Sequence, residues 1–242
     1  MNALYTALGG MVAENQALIS VGANLANANS PGYLRESGWM VGFPAGTVAR
    51  TGPGPAAWVG TSVDSVAFTA AINQTPGGIE QTGVPTDLAL LGQGFFVVRT
   101  PAGPAYTRNG QFQVDSQGRL ATHAGYLLLS AAGTPIGINP ALPFTVSAAG
   151  QVMQNGVPVA QLALRTIAAG ALTNLGGGLY GAPATVPYAG TVTQGALDTS
   201  NVNLTQAAMQ MMQAASGYQA LTTLVNEESA RLKNTAGLGV VV

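Results

Sequence analysis

The chain has 242 residues, enough for one large domain or two small ones with a real core. Asp, Glu, Lys and Arg make up only 7% of the residues, against about 25% in typical soluble domains, so we expect neighbouring subunits to cover much of the surface. The net charge of −1 without a basic cluster argues against a nucleic-acid partner, and the absence of cysteine excludes disulfides and Cys-ligated metals.

Residues 1–28 are predicted to form one helix, ended by Ser30, Pro31 and Gly32. Its apolar positions follow steps of four and three, the spacing of a heptad stripe. The stripe comprises Leu4, Leu8, Met11, Asn15, Leu18, Gly22 and Leu25. The position of Asn15 in this stripe can be interpreted in two ways. Its amide is buried and fixes the register and the number of partners, or it lies at the solvent-exposed edge of the contact between helices.

The N-terminal segment does not resemble a cleavable signal peptide. Its first positive charge is Arg35, and residues 1–30 alternate apolar with polar side chains instead of forming an apolar core. No run of about 18 apolar residues occurs, so no membrane span is expected. Classical secretion is therefore not predicted.

Residues 36–78 form a Gly/Pro-rich passage with short apolar stretches. Extended chain and brief strands are expected here, not helix. The passage is either a flexible tether or a structured arm that lies on a neighbouring subunit.

Short strands separated by regular turn signals occupy residues 86–168, which favours an antiparallel sandwich or open barrel. Strands are expected at 95–98, 111–114, 119–122 and 126–129, with a turn at 115–118. The strongest hairpin signal is Asn155 followed by Gly156, because this pair tolerates the positive φ angles of a two-residue type I′ turn.

A second Gly/Pro-rich passage, 170–195, leads to a C-terminal helix predicted to begin near residues 201–203 with an Asn cap and to end near Asn234. Its heptad stripe comprises Leu204, Ala208, Met211, Ala215, Tyr218, Thr222, Val225, Ser229 and Leu232. Gly217 inside this helix indicates either a close helix contact or a local bend. The predicted fold class is α+β: the terminal helices form a coiled-coil stem, which carries a central antiparallel β sandwich or barrel-like domain.

No catalytic, cofactor or metal site is predicted. The single histidine, His123, lies in a turn-like segment, and no ligand spacing surrounds it. The glycines at 92 and 94 lack the third glycine and the helix of a phosphate-binding loop.

Four blocks along the chain resemble the bacterial flagellar rod and hook family. They are NLANANSPGY at 24–33, TDLALLGQGFFVV at 86–98, YTRNGQFQVDSQGRL at 106–120 and QGALDTSNVN at 194–203. The family-motif residues are Asn24, Leu25, Asn27, Asn29, Pro31, Gly32, Tyr33, Ser200, Asn201 and Val202. The chain departs from the family at 216–219, where SGYQ keeps the aromatic Tyr218 but lacks the usual charged pair.

The resemblance implies a structural subunit of the flagellar basal-body rod. Residues 1–35 and 198–242 would form an antiparallel coiled-coil stem, 36–78 an arm and 79–197 the outer β domain. Chain length favours the distal-rod type, whereas the opening residues and the SPGY variant are similar to the proximal-rod type.

The same resemblance implies a helical tube that transmits torque from motor to hook and encloses the export channel. Its partners would be copies of itself, other rod subunits, the hook protein and the type III export apparatus in the cell envelope. The terminal helices would fold on assembly. The alternatives are a hook or other axial subunit, and a secreted enzyme or carbohydrate-binding β domain.

Overall fold

The computed structural model describes residues 2–44 and 63–238, and side-chain environments within 6–42 and 66–234. Residues 45–62, in the middle of the predicted arm, lie outside this description. Along the chain, one helix precedes a long series of strands and another follows it. The helices are α1 (Asn2–Ala26) and α2 (Leu204–Leu238).

Most strands are short and follow one another closely along the chain. They are β1 (Glu36–Pro44), β2 (Val63–Ile72), β3 (Ile79–Gln81), β4 (Leu88–Leu91), β5 (Phe95–Thr100), β6 (Gly103–Thr107), β7 (Phe112–Val114), β8 (Leu120–Thr122), β9 (Leu127–Leu128), β10 (Phe144–Val146), β11 (Gln151–Gln154), β12 (Val157–Gln161), β13 (Leu164–Thr166), β14 (Thr173–Gly176), β15 (Leu179–Gly181), β16 (Val186–Pro187), β17 (Thr191–Gln194) and β18 (Ala196–Asp198).

The chain divides into two compact units. The helical unit contains α1 as far as Leu25, the described parts of β1 and β2 between Ser37 and Ala70, and α2. The β unit contains Ala26–Glu36 and Ala71–Asn203. The predicted boundaries of stem, arm and outer domain follow the family resemblance and stay a prediction.

The sheets of the β unit are open and antiparallel. The largest has the order β14-β15-β6-β5-β9-β8-β7, with β13 pairing both β5 and β16. Strands β10-β11-β12 form a separate sheet, and β4 pairs with β17 and β3 with β18. In the helical unit, β1 pairs with β2. The prediction of terminal helices flanking a mostly β domain is therefore confirmed at this coarse level.

One apolar core draws side chains from several of these sheets. Leu90 comes from β4, Phe96 and Val98 from β5, and Val152 from β11, and each is at most 1% exposed. Phe96 meets Phe112 edge to face at 5.1 Å between ring centroids, a favoured aromatic geometry. A second, smaller cluster surrounds Phe95 and Tyr180.

The hairpin predicted at residues 155–156 is present. Gln154 pairs with Val157, so the turn has two residues. Asn155 has φ 49° and Gly156 has φ 76°, as a type I′ turn requires. The predicted turn at 115–118 is also present: Gly118 N–H donates to the Asp115 carbonyl over 2.9 Å.

Candidate functional site

The candidate site is the place in the β unit where the four sequence motifs meet, which we call the motif junction. At its centre Arg108 and Asp198 form an ion pair, with Nε and Oδ2 2.7 Å apart and each side chain 1% exposed. Arg108 directly follows β6 and Asp198 ends β18, so the pair joins the third motif to the fourth. Breaking such a pair by removing one partner leaves an uncompensated buried charge.

The Arg108 guanidinium also binds the second motif. Its Nη1 donates to the Gly94 carbonyl over 3.0 Å and its Nη2 to the Leu90 carbonyl over 2.7 Å. Burial raises the pKa of the Asp198 carboxyl, and the Arg108 guanidinium and the Leu90 main-chain N–H act against that increase. The Arg108 side chain therefore joins the second and fourth motifs to the third.

Tyr188 lies beside this ion pair. A Cβ at Gly94 or at Gly190 would collide with the Tyr188 side chain, so the two glycines leave the space that it fills. The Tyr188 hydroxyl donates to the Leu91 carbonyl over 2.5 Å and lies 3.1 Å from the main-chain carbonyl oxygen of Thr191. Burial raises the pKa of Tyr188. The Tyr188 side chain therefore packs against Gly94, whose carbonyl accepts from Arg108.

The first motif reaches the junction through Gly32. Its φ of 66° lies in the left-handed region, and a Cβ there would collide with the main chain of Arg108 and Asn109. Its N–H donates to the Asp198 carbonyl over 2.8 Å. Only glycine meets both demands, the backbone conformation and the close approach.

Both polar atoms of the Asn201 side-chain amide form hydrogen bonds, and these bonds connect three segments of the chain. Its Oδ1 accepts from the Arg35 N–H at 2.6 Å, and its Nδ2 donates to the carbonyls of Asn73 at 2.9 Å and Thr75 at 2.7 Å. Its main-chain N–H donates to the Tyr33 carbonyl over 3.2 Å. An apolar residue of the same size would leave these main-chain groups without partners.

Two tyrosines secure the segment that follows Gly32. The Tyr180 hydroxyl accepts from the Leu34 N–H at 3.1 Å, and its ring packs edge to face on Phe95. Tyr33 is buried, and burial together with the charges of Glu36 and Tyr180 raises its pKa to about 12. Burial also raises the pKa of Tyr180.

The second motif is bound to the third and fourth by main-chain hydrogen bonds. Leu88 N–H donates to the Gly110 carbonyl over 3.1 Å, and Gly195 N–H donates to the Asp87 carbonyl over 2.8 Å. A Cβ at Gly110 would collide with the Leu88 carbonyl. The second, third and fourth motifs therefore contact one another in the β unit, and Gly32 of the first motif contacts the third and the fourth.

Sequence reasoning found the motifs but not this arrangement. Arg108 and Asp198 lie inside the third and fourth motifs, but no pattern in the sequence indicated that they are buried together. Tyr180 and Tyr188 lie in the second Gly/Pro-rich passage, where no pattern singled them out. Of the motif residues, Asn29 is exposed, Ser30 Oγ donates to Asn27 Oδ1, and Val202 N–H donates to Ser200 Oγ.

The helical unit holds the predicted assembly residues. A Cβ at Gly10 would lie 3.1 Å from Leu221 Cδ1, and one at Gly217 would meet the Glu14 carboxylate. The contact positions run in opposite order on the two helices, so the helices are antiparallel where they meet. Gly217 is thus the site of a close helix contact, one of the two predicted explanations. Burial raises the pKa of Glu14.

The fully buried apolar positions of the described helix side chains are alanines. They are Ala7, Ala13, Ala207 and Ala214. The predicted stripe is more open: Leu8, Asn15, Leu204 and Leu232 are exposed, and Met11, Leu18, Leu25, Met211, Tyr218 and Val225 are half-buried. Leu4 lies outside the described side chains. Part of the stripe lines a groove of about 490 Å³ formed by Leu8, Met11, Val12, Asn15, Gln16 and Tyr218.

The contacts of the motif junction connect segments of the chain to one another, which is a structural role. In the described parts of the chain, no group of three His, Asp or Glu side chains could hold a metal ion. His123 is exposed in a turn. Neither described helix is long and apolar enough to span a membrane.

Comparison with known families finds three matching profiles in chain order. The profile described as flagella basal body rod protein matches residues 4–33. That of the flagellar hook protein FlgE/F/G D1 domain matches residues 89–154, and that of the flagellar basal body rod FlgEFG protein C-terminal matches residues 193–238.

Similar proteins are known over the full length of the chain. The flagellar basal-body rod protein FlgF of Caulobacter vibrioides is 32% identical over 97% of this chain and 96% of its own length. FlgF of Rhizobium meliloti is 30% identical over 95% of this chain and 94% of its own length. The flagellar basal-body rod protein FlgG of Bacillus subtilis is 27% identical over 98% and 99%, respectively.

Proposed function

The chain belongs to the family of flagellar basal-body rod proteins, and we propose that it polymerises there into a helical tube that transmits torque from motor to hook. Membership confirms the resemblance carried by the four motifs. It makes the chain a structural subunit of the flagellar basal body and not an enzyme. The alternatives of a hook subunit and of a secreted enzyme are not favoured. FlgF and FlgG relatives match at similar identity, so the distal-rod assignment stays a prediction.

The observation that carries the proposal is an uncovered apolar face on the helical unit. On α1, Val12 is 59% and Ile19 is 66% exposed; on α2, Met212 is 64% exposed. Leu8 and Leu224 are exposed as well. Burying one such side chain stabilises by about 1.5–3 kcal/mol, so a chain that leaves several in water gains by covering them with other copies.

The proposal includes the finer parts of the predicted architecture. The two helices form an antiparallel coiled-coil stem from residues 1–35 and 198–242, with 36–78 as an arm and 79–197 as the outer domain. The antiparallel contacts at Gly10 and Gly217 support the stem. The core shared by side chains of β4, β5 and β11 supports sandwich-like packing of the outer sheets.

The partners are copies of this chain, other rod subunits and the hook protein, with the type III export apparatus delivering the subunit to the cell envelope without a cleaved signal peptide. The assembled tube encloses the export channel. The terminal helices are loosely ordered in the free subunit and fold as they assemble, because an amphipathic helix without a partner gains too little burial to offset its ordering entropy.

A matched pair of substitutions tests the role of the uncovered face. Val12→Ser removes an apolar side chain from the helical unit, and Val157→Ser removes the same side chain from the β unit, where Val157 is 63% exposed. At about 1.5 kcal/mol per contact, Val12→Ser raises the concentration needed for assembly by about tenfold. Sedimentation velocity and electron microscopy measure that concentration. Equal effects of the two substitutions would overturn the proposal.

A further inference from the structure

The chain contains two Asn-Gly pairs, Asn109 with Gly110 and Asn155 with Gly156, in opposite surroundings. We propose that Asn155 is a site of spontaneous deamidation in the folded protein, and that the motif junction protects Asn109. This inference does not depend on the proposed assembly. It concerns a chemical modification that the chain undergoes with water alone.

The reaction begins when the main-chain nitrogen of Gly156 attacks Cγ of Asn155. A C–N bond forms and closes a five-membered succinimide, the bond from Cγ to Nδ2 breaks, and ammonia leaves with the proton of the attacking N–H. Water then opens the ring at one of its two carbonyls, which yields aspartate or isoaspartate. Glycine permits the attack because it has no Cβ to block the approach.

The surroundings of Asn155 favour this attack. Its side chain and Gly156 are exposed, and a Cβ at Gly156 would meet nothing within 4 Å. Asn155 is the sole non-glycine residue with positive φ in the described ranges 2–44 and 63–238, a conformation that asparagine adopts more readily than most residues with a Cβ. The tip of the hairpin therefore has space in which the Asn155 side chain can change its conformation.

Few buried side chains stabilise the tip of the hairpin that carries Asn155. Val157, Pro158 and Val159 at the start of β12 are exposed, and the pairing of β11 with β12 shifts register between Val152 and Met153. Segments with few buried contacts open locally at low free-energy cost. Such opening releases Asn155 from the left-handed region and lets its Cγ approach the Gly156 nitrogen.

Hydrogen bonds fix both the main chain and the side chain of Asn109. Its Oδ1 accepts from the Gln111 N–H at 2.9 Å, and its own N–H donates to Thr107 Oγ1 over 3.1 Å. Gly110 is buried against the Leu88 carbonyl. Asn109 also directly follows Arg108, whose side chain forms the buried ion pair. Succinimide formation here would require the motif junction to open.

Deamidation at Asn155 would alter the protein measurably. Residues 120–197 contain one charged side chain, Arg165, and the new carboxylate would change the formal net charge from −1 to −2. The isoaspartate product also inserts a methylene into the main chain, which is incompatible with the geometry of a two-residue turn. The protein would thus accumulate an acidic form with a remodelled hairpin tip.

The test follows both Asn-Gly pairs in the full chain by peptide mapping and mass spectrometry during incubation at mildly alkaline pH. In the folded protein, Asn155 should convert at least about tenfold faster than Asn109, because conversion of Asn109 requires the junction to open first. In denaturant the two rates should converge, because both residues then precede an unhindered glycine. Equal rates in the folded protein, or a slower rate at Asn155, would overturn the proposal.

Asn155→Asp and Asn155→Gln provide the controls. On isoelectric focusing, Asn155→Asp should migrate at the acidic position from the start, and the wild-type band should move toward it. Asn155→Gln keeps the amide but lengthens the side chain, which disfavours the five-membered ring, so its band should stay in place. An acidic shift of Asn155→Gln at the wild-type rate would show that another residue is modified and would contradict the assignment.

Discussion

Replacing Arg108 by methionine should destabilise the β unit strongly. The substitution leaves the Asp198 carboxylate and the carbonyls of Leu90 and Gly94 without their donor in a region from which water is excluded. Removing one partner of a buried ion pair costs about 3–5 kcal/mol, a large share of the roughly 5–15 kcal/mol that stabilises a domain. With a typical urea dependence, the unfolding midpoint should fall by about 2 M.

Urea denaturation measured by hydrogen exchange of peptides from β5 and β6 reports on this unit directly. The control is Arg119→Met, because Arg119 Nη2 lies 2.7 Å from Asp115 Oδ2 but the side chains are 35% and 21% exposed. Because solvent screens both of these side chains, the pair should contribute much less to stability than the buried one. Combining Arg108→Met with Asp198→Leu should recover part of the loss by removing the unpaired charge. If Arg108→Met cost no more than Arg119→Met, the reasoning about the junction would be refuted.

Three further substitutions test other parts of the structure. Tyr33 has a pKa of about 12 in the folded protein, whereas an unfolded tyrosine has a pKa near 10.0. The contribution of Tyr33 to the free energy of unfolding should therefore be fully present below pH 10 and should fall by about 2–3 kcal/mol as the pH rises toward 12. Tyr33→Phe should reduce that slope in pH-dependent denaturation, and an unchanged slope would contradict the assignment. Gly32→Ala should lower the free energy of unfolding, measured by urea denaturation, by about 2–3 kcal/mol, because the new Cβ collides with the main chain and is also strained at this φ. Gly83→Ala is the control: Gly83 has φ 68° but open space around it, so the loss should be about 1 kcal/mol. Gly217→Ala should be nearly neutral alone, because displacement of the Glu14 carboxylate offsets the gain in helix propensity, but should stabilise by about 1 kcal/mol when combined with Glu14→Ala. Thermal denaturation followed by circular dichroism measures this coupling, and strictly additive effects would argue against the contact.

Local patterns predicted the two helices and several strands, but no strand was predicted in 170–195, where β14 to β17 lie. The N-terminal helix was predicted at 1–28 and spans Asn2–Ala26, and the C-terminal helix was predicted to end near Asn234 and ends at Leu238. The two-residue turn at Asn155 followed from the conformational freedom of Asn-Gly. These features depend on residues close in sequence, so the printed order of the side chains is sufficient to predict them.

Contacts between distant residues could not be predicted in the same way. Arg108 and Asp198 are 90 positions apart, and no spacing rule relates two strands that other strands separate in the chain. Hydropathy identified the large apolar side chains of α1 and α2. It gave little weight to Gly10 and the buried alanines, because small side chains promote close helix approach without a strong apolar signal.

Assembly of this subunit through its terminal helices can be measured by electron microscopy of the purified protein across a concentration series, with circular dichroism on the same samples. Tubes or fibres should appear together with a gain in helix content. A compact monomer with full helix content at every concentration would contradict this prediction.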